Sequence, residues 1–113
     1  MKQRDIWLVN LDPTVGAEIR KTRPCVIVGD DAVGALPLKL VAPLTDLKER
    51  YRTVPWMISL RPNAGNNLDK ASALDLFQVR CVAEERMVRK IGEITASELA
   101  AAQQALKLVF GLG

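Results

Sequence analysis

Residues 5 to 28 read DIWLVNLDPTVGAEIRKTRPCVIV, two apolar runs separated by a polar stretch. The first run, residues 5 to 11, predicts a strand because β-branched and aromatic side chains suit a half-buried pleated surface. Pro13 and Gly16 then predict a turn or loop that extends to about Thr22. Pro24 begins a second β-branched run, which ends at Gly29. The stretch therefore predicts two strands joined by an exposed loop.

The middle of the chain continues the pattern of short apolar runs separated by turn-forming residues. A loop through Gly34 and Pro37 precedes a third predicted strand. The predicted strands are LKLVAPLT at residues 38 to 45, TVPWMISL at 53 to 60, and ASALDLFQVRCV at 71 to 82. Pro55 indicates an edge position or a bulge in the fourth strand, and a helix is the competing prediction for the fifth. Residues 84 to 90 (EERMVRK) predict a shorter helical turn.

The carboxyl end carries the clearest local signal. Residues Thr95 to Glu98 match a capping box, and an Ala-rich segment then runs to Phe110 before Gly111. This pattern predicts a helix. Its apolar stripe is expected to pack on the sheet or against a second copy of the protein, and consists of Leu99, Ala102, Leu106, Val109 and Phe110.

Length and composition predict one domain over residues 1–113. Apolar residues make up 49% and charged residues 26%, the balance of a soluble globular protein. No stretch approaches the roughly 20 apolar residues needed to span a bilayer, so the expected compartment is cytoplasmic. Five short strands with uneven loops and a terminal helix predict a mainly β fold with a C-terminal α-helix, either a strongly bent sheet or a small barrel.

Residue types restrict the chemistry. The chain has no histidine, which excludes every imidazole-based acid–base mechanism and the usual zinc sites. Cys25 and Cys81 each lie within an apolar run, so both are expected to be buried and to have no catalytic role. The sequence therefore predicts neither a metal nor a cofactor.

Positive charge is concentrated in two segments. The chain has 16 Lys and Arg against 13 Asp and Glu, with a pI near 9.1. The excess lies at Arg20, Lys21 and Arg23, and at Lys48, Arg50, Arg52 and Arg61 around the third and fourth strands. Such clusters favour a polyanionic partner, although a charged cluster is most often a solvated loop.

The order and spacing of four segments resemble the MazF/PemK toxin family over almost the whole length. These are residues 5 to 28, VAPLT, SALDLFQVRCV, and KIGEITASELAAAQQALKLVFGL. The most specific part is Gly16, Glu18, Arg23 and Pro24 leading into a strand, with Thr45 closing the next one. The family often has glycine before the first-strand aspartate, where this chain has Arg4.

The resemblance implies an SH3-like barrel, a homodimer, and metal-independent cleavage of single-stranded RNA at a short recognition sequence. It also implies a cognate antitoxin partner, expected to be acidic and partly disordered and to block the RNA site. The family's catalytic pair falls on Arg23 and Thr45, and Glu18 matches a family glutamate of the same loop.

These residue types suit RNA cleavage because RNA carries its own nucleophile, the 2′-hydroxyl. The Arg23 guanidinium can place two donors on the phosphorane oxygens as charge develops there. Pro24 favours an extended backbone at Arg23 and so fixes the origin of this side chain. The Thr45 hydroxyl can bind a phosphate oxygen or orient the nucleophile, and Glu18 can accept the 2′-hydroxyl proton if it reaches it.

RNA binding is predicted for the basic segments and for the fifth strand. Phosphate contacts are expected from Arg20, Lys21, Lys48, Arg50 and Arg52. Gln78 and Arg80 are the candidate base readers, and Tyr51 is a better stacking candidate than Trp7 or Trp56, which are expected in the core. Two alternatives remain open: a non-catalytic toxin like the related CcdB proteins, and an SH3-like module that binds nucleic acid without cutting it.

Overall fold

A computed structural model describes residues 1–33 and 35–113, so Gly34 in the predicted second loop lies outside the described residues. The described part contains seven strands and one α-helix. They are β1 (Asp5–Asn10), β2 (Thr22–Ile27), β3 (Leu38–Asp46), β4 (Met57–Leu60), β5 (Ser72–Asp75), β6 (Arg80–Ala83), β7 (Met87–Glu93) and α1 (Ala96–Phe110). The strands form one antiparallel sheet in the order β4-β5-β3-β2-β1-β7, with β6 also paired to β3.

Strand β3 organises the sheet because three strands pair with it. Residues 41–43 pair with β2. On the other edge, Leu38–Val41 pair with β6 and Leu44–Asp46 pair with β5. Because β3 pairs with both β6 and β5 along the same edge, the sheet bends, and it forms a small open barrel. The predicted mainly β fold with a C-terminal helix is therefore confirmed.

The first four predicted strands correspond to β1 to β4, whereas the prediction of a single fifth strand is wrong. Residues 71 to 82 contain two strands, β5 and β6, separated by a 3-10 turn at Leu76–Gln78. The Asp75 carboxylate interrupts the strand because its Oδ1 accepts a hydrogen bond from the Phe77 amide at 3.0 Å. Side chains that bind neighbouring backbone compete in this way with sheet pairing.

The helical prediction for residues 84 to 90 is correct only at its start. A 3-10 turn covers Glu84–Arg86, and the chain then enters β7 at Met87. This strand escaped detection because it lies at the sheet edge and contains no buried residue, so it lacks an apolar run.

Helix α1 matches its prediction. The Thr95 Oγ1 accepts from the Glu98 amide at 3.1 Å, and the Glu98 carboxylate accepts from the Thr95 amide at 2.8 Å. Gly111 ends the helix in the left-handed conformation, with φ of 69°. Ala102 is buried and Leu99 and Leu106 pack against the core, whereas Phe110 is 61% exposed. The predicted stripe therefore packs on the sheet along only part of its length.

The interior consists of two apolar clusters. The larger lies against α1 and includes Ile6, Leu44, Leu60, Leu74 and Ile94. The smaller contains Val9, Leu11, Cys25, Ile27, Val41 and Val82, with half-buried Trp7 against it. Trp56 is also half-buried and contacts Phe77, with their ring centroids 5.7 Å apart.

The two cysteines differ in exposure. Cys25 is fully buried, as predicted, but Cys81 is exposed, so the prediction that both are buried is wrong. The reason is the period of two along a strand, which turns Val82 inward and Cys81 outward on β6.

Arg4 precedes β1 with φ of 81°, in the left-handed region that favours glycine. Its amide donates to the Ile27 carbonyl and its carbonyl accepts from the Ile94 amide, both at 2.9 Å. The arginine thus occupies a conformation suited to the glycine that the MazF/PemK resemblance implies there.

The loop between β4 and β5 packs across β7 and covers this edge of the sheet. Asn66 is buried and organises the loop, since its side chain bonds Asn63, Leu68 and Arg61 backbone groups at 2.8–3.0 Å. The Glu93 amide then donates to the Gly65 carbonyl at 3.0 Å. At Gly92 a Cβ would lie 2.6 Å from the Asn66 and Gly65 carbonyl oxygens, so only glycine permits this contact.

We expect Gly92→Ala to lower the free energy of unfolding by about 1–3 kcal/mol, because the methyl group must push the loop away from β7. Denaturant unfolding followed by circular dichroism measures the change. Gly113→Ala is the control, since among the described residues no atom beyond its own and its chain neighbour's lies within 4 Å of its added Cβ. Equal unfolding midpoints for the two variants would contradict the close approach.

Candidate active site

Arg23 and Thr45 meet where β2 and β3 leave the barrel. The pairing of Cys25 with Pro43, continued by two residues in the same antiparallel register, places Arg23 opposite Thr45. Both side chains line one surface cleft. The structure therefore brings the two residues of the predicted catalytic pair together.

The Arg23 guanidinium is held on one side. Its Nε donates to the Arg20 carbonyl oxygen at 2.8 Å, and the side chain is half-buried. Within residues 1–33 and 35–113 the guanidinium makes no other hydrogen bond, so both Nη groups remain available as donors to a ligand. This arrangement suits bidentate binding of a phosphate.

Thr45 is half-buried on β3, between two strands. Its backbone pairs with Ala73 of β5 on one edge, and on the other edge the β2–β3 register, extended by two residues, leads to Arg23. The Thr45 hydroxyl has no hydrogen-bond partner among the described residues. A rigid strand thus presents a free hydroxyl to the cleft.

An ion pair that the sequence analysis missed lies in the same cleft. Lys70 Nζ lies 2.8 Å from Asp46 Oδ1, and both residues line the cleft with Lys21, Asp69 and Ser72. The hydrogen bond from Lys70 holds the pKa of Asp46 below its usual range, and the positive charge of Arg23 acts in the same direction. Nothing in the sequence marks Lys70, an isolated cation that reaches the cleft only because β5 pairs with β3.

Glu18 lies in a neighbouring cleft, not with Arg23 and Thr45. Its Oε1 accepts from the Val15 amide at 2.6 Å, so the carboxylate is bound within its own loop. This second cleft is lined by Leu11, Ala17, Glu18, Ile19, Pro43, Phe77, Gln78, Val79 and Arg80.

Gln78 and Arg80 also line the second cleft, and both bind the loop between β1 and β2. Gln78 Oε1 accepts from the Ile19 amide at 2.6 Å, and its Nε2 donates to the Ala17 carbonyl at 3.3 Å. Arg80 Nη1 donates to the Leu11 carbonyl at 3.2 Å. Their role as base readers stays a prediction, and in this structure their polar groups bind backbone.

The two basic segments are placed differently. Lys21 lines the Arg23 cleft, while exposed Arg20 contributes its carbonyl oxygen to Arg23. The second segment follows β3, where the Arg50 guanidinium lies 5.0 Å from the Tyr51 ring centroid and Arg52 pairs with Glu49 at 2.9 Å. Lys48, Arg50 and Arg52 do not belong to the lining of the Arg23 cleft.

The described residues contain no group of three or more His, Cys, Asp or Glu side chains arranged to hold a metal ion. They also contain no helix that is both long and apolar enough to cross a membrane.

The fold and the cleft define a class of small SH3-like barrels that carry an arginine–threonine pair at the strand ends. Comparison with protein-family models gives a match over residues 2–110 to the PemK-like, MazF-like toxins of type II toxin-antitoxin systems. The chain belongs to this family.

Individual relatives agree with the family assignment. The chain is 36% identical over 116 residues to endoribonuclease MazF9 of Mycobacterium tuberculosis, covering 96% of this chain and 94% of the relative. It is 27% identical to endoribonuclease MazF of Staphylococcus epidermidis, covering 99% and 92%.

Solved structures show the same fold. MazF from Deinococcus radiodurans superposes with a TM-score of 0.81 at 19% identity, covering 99% of this chain and 97% of that one. An endoribonuclease from a mycobacterial species, solved in complex with its cognate antitoxin, gives a TM-score of 0.79 at 17% identity, covering 100% and 97%. The predicted SH3-like barrel is thereby confirmed.

Alkylation distinguishes the two cysteines. Burial raises the pKa of Cys25 to about 12, against the opposing charges of Arg80 and Arg23, so this thiol stays protonated at pH 8. We expect iodoacetamide to modify only exposed Cys81 in the native protein and both cysteines after denaturation, as measured by intact mass. Rapid addition of two adducts to the native protein would contradict the burial of Cys25.

Proposed function

We propose that this chain is a sequence-specific endoribonuclease toxin that cleaves single-stranded RNA without a metal ion. The observation that carries the proposal is the meeting of Arg23 and Thr45 in one cleft, with Lys21 beside them. The endoribonuclease names of the relatives support it. Neither a CcdB-like inhibitor nor a simple binding module requires this pair.

The reaction is an internal transesterification. The 2′-oxygen of the ribose attacks the adjacent phosphorus and the bond from phosphorus to the 5′-oxygen breaks. The 2′-hydroxyl proton passes to solvent water, which reaches the open cleft, and water protonates the departing 5′-oxygen. The products are a 2′,3′-cyclic phosphate and a 5′-hydroxyl end.

Arg23 and Thr45 stabilise the transition state of this step. The two Nη groups of Arg23 donate to non-bridging oxygens, where negative charge increases as the phosphorane forms. The Thr45 hydroxyl donates to the same phosphate and fixes its position relative to the 2′-oxygen. Both side chains extend from paired strands, so the positions of their Cα atoms are set before RNA binds.

The RNA backbone follows the cations around the cleft. Lys21 lines it and Arg20 is adjacent, whereas Lys70 lines it as the ion-pair partner of Asp46. Lys48, Arg50 and Arg52 follow β3 in the chain, and we propose that they bind flanking phosphates. Because such contacts release counterions, binding weakens as salt rises.

Assembly and regulation follow from family membership. We propose that the chain works as a homodimer in the cytoplasm, where its RNA substrate is found. A cognate antitoxin inhibits it, as indicated by the relative that was solved with its antitoxin. An acidic, partly disordered antitoxin segment that folds over the cationic cleft would exclude RNA by charge and by volume.

Arg23→Ala is expected to lower the cleavage rate about 10²-fold to 10³-fold, the scale for loss of a preorganised donor to a developing oxyanion. Thr45→Ala is also expected to lower it, because the phosphate loses its second donor. The rates are measured in excess EDTA on a sequence-diverse RNA, after circular dichroism shows that each variant folds. Lys107→Ala, which removes a positive charge from α1 outside the cleft lining, serves as the control.

Glu18→Gln tests the proton transfer within the same experiment. Since Glu18 is bound to Val15 in the neighbouring cleft, we expect a much smaller loss than for Arg23→Ala. A loss as large as that of Arg23→Ala, with the acidic limb of the pH–rate profile changed, would assign the general base to Glu18. Wild-type activity in Arg23→Ala would refute the proposed site.

A further inference from the structure

We propose that Gln78 is a positioning residue for RNA cleavage: its amide holds the tip of the β1–β2 loop, residues 13–19, and thereby orients Arg23. The inference rests on the proposed function, because it concerns the same cleft. Gln78 itself lies in the neighbouring cleft and acts through the loop.

The contact between Gln78 and the loop joins distant parts of the chain. Gln78 bonds the Ile19 amide and the Ala17 carbonyl, which are 59 and 61 residues away in sequence. The amide thus uses its oxygen and its nitrogen on one loop segment. An amide that satisfies one donor and one acceptor together fixes both the distance and the rotation of the bound backbone.

The platform beneath Gln78 is rigid. Gln78 ends the 3-10 turn that begins at Leu76, whose side chain is fully buried. The Asp75 carboxylate caps this turn through the Phe77 amide. The side chain of Gln78 therefore extends from a fixed point on the barrel.

The loop has a firmly held base and a lightly held tip. At the base, Leu11 and Lys21 pair through their backbones at 3.0 Å, Arg80 binds the Leu11 carbonyl, and Arg86 binds the Asp12 carbonyl. For the tip, in the part of the chain that the structure describes, the only hydrogen bonds to residues beyond the loop are those of Gln78. Ile19 also packs against the smaller apolar cluster, so Gln78 supplies the polar part of the attachment that keeps the tip on the barrel.

The tip connects directly to Arg23. Ile19, whose amide donates to Gln78, precedes Arg20, whose carbonyl oxygen accepts from Arg23 Nε at 2.8 Å. The amide that follows this carbonyl donates to Asp12 Oδ1 at 3.0 Å, so the carbonyl lies at the junction between the tip and the base. Opening of the tip turns this peptide about that anchor, and the guanidinium loses the contact that orients it. Donors that must reorganise during the reaction stabilise the transition state less than preorganised ones.

Kinetic measurements separate this role from base reading. Each polar end of the Gln78 amide already binds the loop, which leaves one N–H of Nε2 and one lone pair of Oε1 for any other ligand. Positioning and base reading predict different kinetics. Loss of a positioning residue lowers kcat, whereas loss of a substrate contact made equally in the ground state raises KM.

Gln78→Met is the test variant, because methionine keeps the length of the side chain and removes both hydrogen bonds. We expect kcat on RNA to fall about tenfold, the scale of roughly one net hydrogen bond, with KM nearly unchanged. Hydrogen exchange of the Ile19 amide should become faster, since Gln78 supplies its acceptor. Gln104→Ala, an exposed helical position, should change neither quantity.

A double variant tests the connection to Arg23. If Gln78 acts through the guanidinium, Gln78→Met should have little further effect on the rate of Arg23→Ala. A merely structural contribution would lower the rates of both backgrounds by the same factor.

Three results would overturn the inference: an unchanged kcat with raised KM, full additivity with Arg23→Ala, or unchanged exchange at Ile19. Failure of the proposed function gives a different result, in which the wild-type protein itself leaves RNA intact. If the wild-type protein does not cleave RNA, Gln78 has no positioning role in cleavage. The hydrogen exchange of the Ile19 amide still shows whether Gln78 holds the loop.

Discussion

The pairing of β2 with β3 is the constraint on which the site depends. Its register, with Cys25 opposite Pro43, sets Arg23 across from Thr45 before any ligand binds. The pairing is protected because Cys25, Val41 and their neighbours are fully buried in the smaller apolar cluster. A slip of one residue would turn this cluster toward solvent, so the free energy of burial also maintains the geometry of the cleft.

Around the paired strands β2 and β3, the other parts of the site differ in how firmly the protein holds them. Lys70 reaches the cleft from the start of β5 and is paired with Asp46, which places a cation beside Thr45. The β1–β2 loop is firmly bound at its base and bound through Gln78 at its tip. In the proposed mechanism the barrel fixes the reacting phosphate and the loop orients Arg23, a division often seen where loops complete a site built on strands.

Local signals predicted much of this molecule. The capping box at Thr95 and Glu98 defined the helix, and the β-branched runs defined β1 to β3, because these signals depend only on neighbouring residues. Predictions failed where tertiary context decides. Strand β7 is an edge without an apolar run, and the capping carboxylate of Asp75 splits β5 from β6. The family resemblance gave Arg23 and Thr45, but no pattern could show Lys70 in the cleft or Gln78 bound to a loop 59 residues away.

The most direct test of the central claim removes one oxygen atom from the substrate, the 2′-oxygen that is proposed to attack. After the cut position is mapped, an RNA with a single 2′-deoxynucleotide on the 5′ side of that bond is compared with the all-ribose RNA in excess EDTA. The account predicts that the deoxy substrate binds but is not cut there, and that the ribose substrate yields 2′,3′-cyclic phosphate and 5′-hydroxyl ends. Cleavage of both substrates at equal rates would contradict attack by the 2′-hydroxyl and the roles assigned to Arg23 and Thr45.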